Sequence, residues 1–330
     1  MQEGAIVSML PNQQKKIRVL VVDDSAVART FLVKGLATYP NIEVVGYAIN
    51  ALDAKTKILR LHPDVMTLDV EMPGTNGIDF LRQLLPEHPL PVILVSSLNL
   101  RVFDALAAGA VDFVRKPDGV ESRESFLRIH AAAHQAAAST SAPTATAPAA
   151  PVAPPTALGH SSGMNLDQTI IGLGASTGGT EATLEVLKRL PADIPGMVIV
   201  QHMPPGFTGM YAQRLNKICA MEVREAKNGD EIHRGLVLVA PADLQARVVR
   251  MGSRYTLACQ PGEKVSGHRP SVDALFTSMA SQVRCHMVGI IMTGMGRDGA
   301  SGLLEMRKAG AYTIGQDKDS CVVYGMPCVA

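Results

Sequence analysis

The stretch TIIGLGASTGGTEATLEVL, residues 169–187, decides the fold of the C-terminal half. It starts as an apolar run of the kind a strand covered on both faces requires. It then passes through four glycines and enters a helical pattern from Gly179. A strand, a tight turn and a helix form the repeating unit of a parallel α/β sheet. The same rhythm extends outward. GMVIVQ (196–201) and HMVGIIM (286–292) read as buried strands, and SVDALFTSMA (271–280) as a helix. LVLVAP (236–241), ARVVRM (246–251) and YTLACQ (255–260) read as short strands that include a hairpin pair. The expectation is a parallel α/β core with a β-rich excursion.

Glycine-rich turns after strands often cradle phosphate, so the loop has to be tested against those templates. A P-loop places Lys before Ser or Thr, but Thr180 stands where that lysine belongs. A dinucleotide fingerprint needs G-x-G-x-x-G and a later acid. Here Thr177 replaces the third glycine, and the next strand ends in Gln201 and His202. The template that fits is G-x-S-x-G, Gly174 to Gly178, with Ser176 on a sharp strand-to-helix turn. The following helix would aim its positive end at a developing oxyanion.

His202 closes the next strand and so falls at the same sheet edge as Ser176. Asp298 lies in the glycine-rich loop MTGMGRDGASG after a further strand. Taken singly, His202 reads equally as a structural histidine, and Asp298 as a cap for the helix after Gly299. Together they offer a nucleophile, a base and an orienting acid, and geometry rather than chain order defines a triad. His268 and Arg269 in GHRPS read as cleft lining or as a helix entry with Ser271 as cap. Met203, Met292 and Met295 read as packing.

The N-terminal half repeats the α/β rhythm. IRVLVVDD, IEVVGYA, DVMTLDV, PVILVSS and VDFVRKP predict five strands, with helices from Ser25 and over 51–61 and 77–86. Ligands gather at the carboxyl ends of such strands. Asp23 and Asp24 end the first strand, Asp69 the third, Ser96 the fourth and Lys116 the fifth. Clustered carboxylates suit Mg²⁺. A hydroxyl and an ammonium beside them suit the oxygens of a phosphorylated aspartate.

Between the halves, residues 131–164 are Ala, Pro, Ser and Thr with few large apolar side chains. Such a stretch cannot offset its ordering entropy by burial and reads as a linker. It divides the 330 residues into units at 16–130 and 165–330. A net charge of +1 and the absence of Trp argue against nucleic acid as a partner. Five cysteines without a C-x-x-C pair suit reduced thiols, and no 18-residue apolar run or signal peptide is evident. The expectation is a cytoplasmic protein without direct membrane insertion.

Two resemblances follow from these motifs. VVDDSAVART, DVMTLDVEMPGTNGIDFL, PVILVSS and GAVDFVRKP resemble the receiver domain of two-component response regulators over about 17–118, with a short 96–109 segment. The resemblance implies phosphorylation of Asp69 by a chemotaxis histidine kinase. It implies Mg²⁺ binding by Asp23, Asp24, Asp69 and Glu71, a switch hydroxyl at Ser96 and a phosphate contact at Lys116. GASTGGTEA, VIVQHMPPGFT, GHRPSVDALF and IIMTGMGRDGASGL resemble the catalytic domain of protein-glutamate methylesterases. The whole chain is similar to the CheB family of chemotaxis methylesterases. That similarity implies Ser176 as nucleophile, His202 as general base and acid, and Asp298 as orienter. It implies oxyanion donation by the Met295 amide, to which we add the Thr177 amide, and an esterase half that needs no cofactor. The implied substrates are methylated glutamates, and also glutamines, of methyl-accepting chemoreceptors. The fold class expected is α/β, with a flavodoxin-like and then a Rossmann-like doubly wound parallel-sheet domain. A non-enzymatic response regulator with a partner-binding second half is the alternative.

Overall fold

A computed structural model describes residues 16–72, 76–96, 101–116, 126, 129, 130, 133 and 165–330. Most of the expected linker therefore lies outside the described residues. Two mostly parallel sheets carry the chain. The N-terminal sheet has the order β2-β1-β3-β4-β5, built from Ile17–Val22, Ile42–Ala48, Val65–Leu68, Val92–Ser96 and Asp112–Arg115 in chain order β1 to β5. All four pairings are parallel. Strands β1, β3 and β4 are buried nearly throughout because helices cover both faces. Three helices begin with the caps their sequences supply. Ser25, Asn50 and Asn76 each accept an amide of the first turn with the side chain.

The C-terminal sheet has six strands. They are β6 (Thr169–Ala175), β7 (Gly196–Gln201), β8 (Glu222–Glu225), β10 (Leu236–Val239), β13 (His286–Ile291) and β14 (Tyr312–Gly315), in the order β14-β13-β6-β7-β10-β8. A small antiparallel sheet holds β9 (Asp230–Glu231), β11 (Gln245–Met251) and β12 (Arg254–Gln260). The expected hairpin is β11–β12. LVLVAP, by contrast, pairs parallel with β7 and β8 in the main sheet, because all four residues of β10 are buried on two faces. No helix among the described residues is long and apolar enough to cross a membrane.

The order of strands fixes where sites can form. From β1 the chain runs to β2 on one side and to β3 on the other. From β6 it runs to β7 on one side, and later strands β13 and β14 fill the other side. Each reversal opens a crevice at the carboxyl edge of its sheet. Asp23 and Asp69 flank the first crevice, and Ser176 and Asp298 the second.

The two halves share one continuous apolar core. Phe103, in helix Arg101–Ala107, stacks on Tyr211, in helix Phe207–Ile218, at 5.9 Å. Phe113 of β5 lies 4.7 Å from Phe207. The Arg214 guanidinium sits over the Phe103 ring.

Candidate functional site

The C-terminal crevice is built by register. Ala175 of β6 is paired with Gln201 of β7, so Ser176 and His202 each stand one residue beyond paired partners. The His202 amide donates to the Ala175 carbonyl at 3.1 Å, and Gln201 Nε2 donates to the Ser176 carbonyl at 2.7 Å. The Ser176 amide donates to the Thr293 carbonyl. The nucleophile turn is thus held from both neighbouring strands. Gly178 has φ 76° and starts helix Gly179–Leu187; a Cβ there would also strike Val322 at 2.5 Å. A Cβ on Gly294 would meet Ser176 Cβ at 2.8 Å, which brings the loop after β13 directly against Ser176.

His202 and Asp298 are joined. His202 Nε2 lies 2.8 Å from Asp298 Oδ2. A carboxylate accepts, so Nε2 carries the proton and Nδ1 is left as the basic nitrogen. Nδ1 is buried and, among the described residues, has no hydrogen-bond partner. That is the state expected of a base awaiting a substrate or nucleophile proton. Ser176 Oγ does not bond it in this structure.

Asp298 is a cap, but not for the helix expected from its sequence. Gly299, at φ 97°, starts helix Ala300–Lys308 without a side-chain cap. Asp298 instead serves the start of helix Val272–Gln282. Its Oδ1 accepts from Ser271 Oγ at 2.7 Å and the Asp273 amide at 3.0 Å, and its Oδ2 from the Val272 amide at 2.8 Å. Burial alone would push the Asp298 carboxyl up. Hydrogen bonds from His202, Asp273 and Ser271, with the charge of His202, hold it below the ordinary value. Sequence reading found Ser271 as a helix cap; its bond to Asp298 carried no local signal.

Met295 is exposed beside this crevice, whereas Met203 and Met292 are packed in the core. Among the described residues, the amides of Thr177 and Met295 serve no backbone acceptor. Thr177 Oγ1 donates to Asp112 Oδ2 of β5 at 2.9 Å, so the N-terminal half touches the residue next to Ser176. His268 stacks on His202, an arrangement the sequence reading had as cleft lining only.

The N-terminal crevice is an acidic pocket. Asp23, Asp24 and Asp69 place carboxylate oxygens within 4.8 Å of one another. Lys116 Nζ donates to Asp69 Oδ2 at 2.7 Å and lies 2.9 Å from Asp23 Oδ2. Asp23 and Asp69 are buried and Asp24 is exposed. Burial raises the Asp69 carboxyl; Lys116 pulls it back, the Asp23 charge adds to the rise, and the net direction is upward. Burial lowers the Lys116 ammonium, yet its bonds and attraction to Asp69 and Asp23 win, and it stays above its ordinary value. Among the described residues, Ser96 Oγ is buried without a hydrogen-bond partner, and Asp23 Oδ2 has Lys116 as its ion-pair partner. The clustered acids fit a divalent cation, and the Ser96 hydroxyl with Lys116 fits an incoming anion. Glu71, the fourth expected ligand, stands at the rim of the pocket. Its side chain is exposed and outside the carboxylate cluster, and it reaches the pocket by donating its amide to Asp69 Oδ1 at 3.2 Å.

The family model described as CheB methylesterase matches residues 171–330, and that for the response regulator receiver domain matches 19–125. A protein-glutamate methylesterase/protein-glutamine glutaminase 2 of Syntrophomonas wolfei is 49% identical over 329 residues, covering 96% of this chain and 92% of the relative. A protein-glutamate methylesterase/protein-glutamine glutaminase of Syntrophotalea carbinolica is 48% identical over 323 residues, with coverage of 96% and 92%. The crystal structure of the Thermotoga maritima CheB methylesterase catalytic domain is 35% identical, with a TM-score of 0.47, and covers 48% of this chain and 85% of that one.

Proposed function

Because this chain belongs to the CheB methylesterase family, we propose that it hydrolyses glutamate methyl esters of chemoreceptors under control of its receiver half. The observation that carries the reading is the His202–Asp298 pair, with Nδ1 open, one register step from Ser176.

In the proposed chemistry Ser176 Oγ attacks the ester carbonyl carbon and gives its proton to His202 Nδ1. The tetrahedral oxyanion accepts hydrogen bonds from the Met295 and Thr177 amides. The carbon–methoxy bond breaks, methanol leaves with the proton from His202, and a glutamyl-serine ester remains. Water, deprotonated by His202, hydrolyses that ester to glutamate and free Ser176. With a glutamine substrate the leaving group is ammonia and the acyl-enzyme is the same. Asp298 keeps the Nε2 proton in place and stabilises the imidazolium throughout.

Asp69 is the proposed phosphorylation site, with a chemotaxis histidine kinase as donor. Asp23, Asp24 and Asp69 would hold Mg²⁺, which when bound offsets their mutual repulsion and the charge of the phosphoryl group. Lys116 and the unpaired Ser96 hydroxyl would take phosphoryl oxygens. Lys116 donates its amide to the Ser96 carbonyl, and Arg115 is paired with Ser96 at the end of β5. A shift at Ser96 and Lys116 is therefore passed along β5 to Asp112 and the Thr177 contact. The unphosphorylated receiver restrains the cleft, and phosphorylation loosens that contact. Chemoreceptor substrates and a kinase partner place the reaction in the cytoplasm.

The test is methanol release from methylated receptor membranes, with and without a small phosphodonor and Mg²⁺. Release is expected to rise on phosphorylation and to vanish in Ser176→Ala at an unchanged unfolding midpoint. Undiminished release by Ser176→Ala would remove the triad, leaving the partner-binding alternative.

A further inference from the structure

We propose that His268 is a positioning residue of the esterase, holding a neutral imidazole face against His202 so that the imidazolium formed during turnover is stabilised. The inference rests on the esterase reading above.

The two rings lie 3.8 Å apart with an interplanar angle of 1°. Such a stack needs both rings held, and both are. His202 is fixed by Asp298. His268 Nδ1 donates to the Ser266 carbonyl at 2.9 Å. The His268 amide and carbonyl are bonded with Val265, and the carbonyl also accepts from Gln245 Nε2 at 3.0 Å. The His268 loop is therefore built, in chain segments far from His202 in sequence, to present a ring at one place.

Two parallel imidazoles at this spacing accept one proton far more readily than two. Geometry decides which ring takes it. Asp298 Oδ2 is 2.8 Å from His202 Nε2 but 3.9 Å from His268 Nδ1. The charged groups of the neighbouring loops are engaged or face solvent. Arg269 is held by Asp243, Asp273 accepts from Ser266 Oγ, and Asp112 is engaged at Thr177. Glu263, Lys264 and Arg297 are exposed to solvent. The proton that His202 takes up in the proposed turnover is held on the ring that Asp298 anchors, and the stacked His268 face lies against that cation. His268 also covers one face of the base, since its own side chain is 39% exposed and that of His202 only 7%.

The experiment compares His268→Phe, His268→Ala and His268→Lys in the full chain, using methanol release from methylated receptor membranes with phosphodonor present, between about pH 5 and pH 9. Unfolding midpoints are measured alongside. Phe keeps an aromatic face, Ala removes it and Lys replaces it with a fixed positive charge. His268→Ala is expected to lower kcat about fivefold with KM nearly constant, and to move the acid limb of kcat/KM down by roughly half a pH unit. His268→Phe should restore both. His268→Lys should lower kcat and the acid limb further than Ala. An unmoved acid limb in Ala and Lys, or a Phe variant as poor as Ala, overturns the stack as the operative contact. If wild type itself releases no methanol while taking up phosphate, the failure belongs to the esterase reading and not to His268.

Discussion

The two crevices solve the same problem in opposite ways. Each buries an aspartate at the reversal of a parallel sheet. Asp298 is met by donors on both oxygens, from Ser271, Val272, Asp273 and His202, and stays ionised below its ordinary value. Asp69 has other carboxylates beside it and one principal cation, Lys116, and its carboxyl is raised. One site is finished, with a fixed charge that orients a base. The other is left short of positive charge and has an unpaired hydroxyl at Ser96. The carboxylate proposed for phosphorylation is short of donors; the one proposed to orient the base is saturated with them.

Asp298→Asn breaks this contrast most severely. An amide cannot accept at both ends, so either the helix Val272–Gln282 or His202 loses its partner. Methanol release should fall about 10⁴-fold, as expected when the orienter can no longer hold the working tautomer. Stability should fall by about 3 kcal/mol at neutral pH, since buried donors lose a charged acceptor. The pH dependence has a definite sign. A depressed folded-state carboxyl contributes stability that is present above its unfolded value near 4 and lost as pH falls through the lower folded value. The variant's urea midpoint should therefore approach that of wild type only under strong acid. A variant with wild-type midpoint at neutral pH would show that Asp298 is not the helix anchor described here.

Much of this was legible from one sequence. Buried strands announce themselves as apolar runs, which located β1, β3, β4, β6, β7 and β13. The helices capped by Ser25 and Ser271 carry their own start signals. Helix Phe207–Ile218 does not, since Gly206 gives no side-chain cap. Strand β8 (EVRE) is a charged edge and β14 an exposed one, so neither shows a core pattern. Ser176, His202 and Asp298 stood out because each follows a strand. The Thr177–Asp112 bond and the His202–His268 stack did not, because each joins residues about 65 positions apart with no shared motif.

The bond between Asp112 and Thr177 links the two crevices in the proposed gating, and Asp112→Ala sharpens the comparison there. Asp112 touches Thr177 through the side-chain hydroxyl, and its loss leaves the His202–Asp298 and Lys116–Asp69 pairs their own partners. One interface hydrogen bond contributes about 1 kcal/mol net. Methanol release without phosphodonor should therefore rise on the order of fivefold, while the phosphorylated rate stays near wild type. A lower unphosphorylated rate would mean that the receiver assists rather than restrains the cleft.

The smallest effect is the most diagnostic of sign. Asp69→Asn removes a carboxylate that burial disfavours and leaves Lys116 its contact with Asp23 at 2.9 Å. A raised folded-state carboxyl costs stability above its folded value, and that cost disappears as pH falls below the unfolded value near 4. At neutral pH the variant should accordingly be more stable than wild type. The gain should shrink on acidification, read as converging urea midpoints. Asp298→Asn and Asp69→Asn remove the same charge from equally buried places, yet they should move the midpoint in opposite directions. If both destabilise, Lys116 satisfies Asp69 as fully as the helix N-terminus satisfies Asp298, and the pocket is not held in deficit of positive charge.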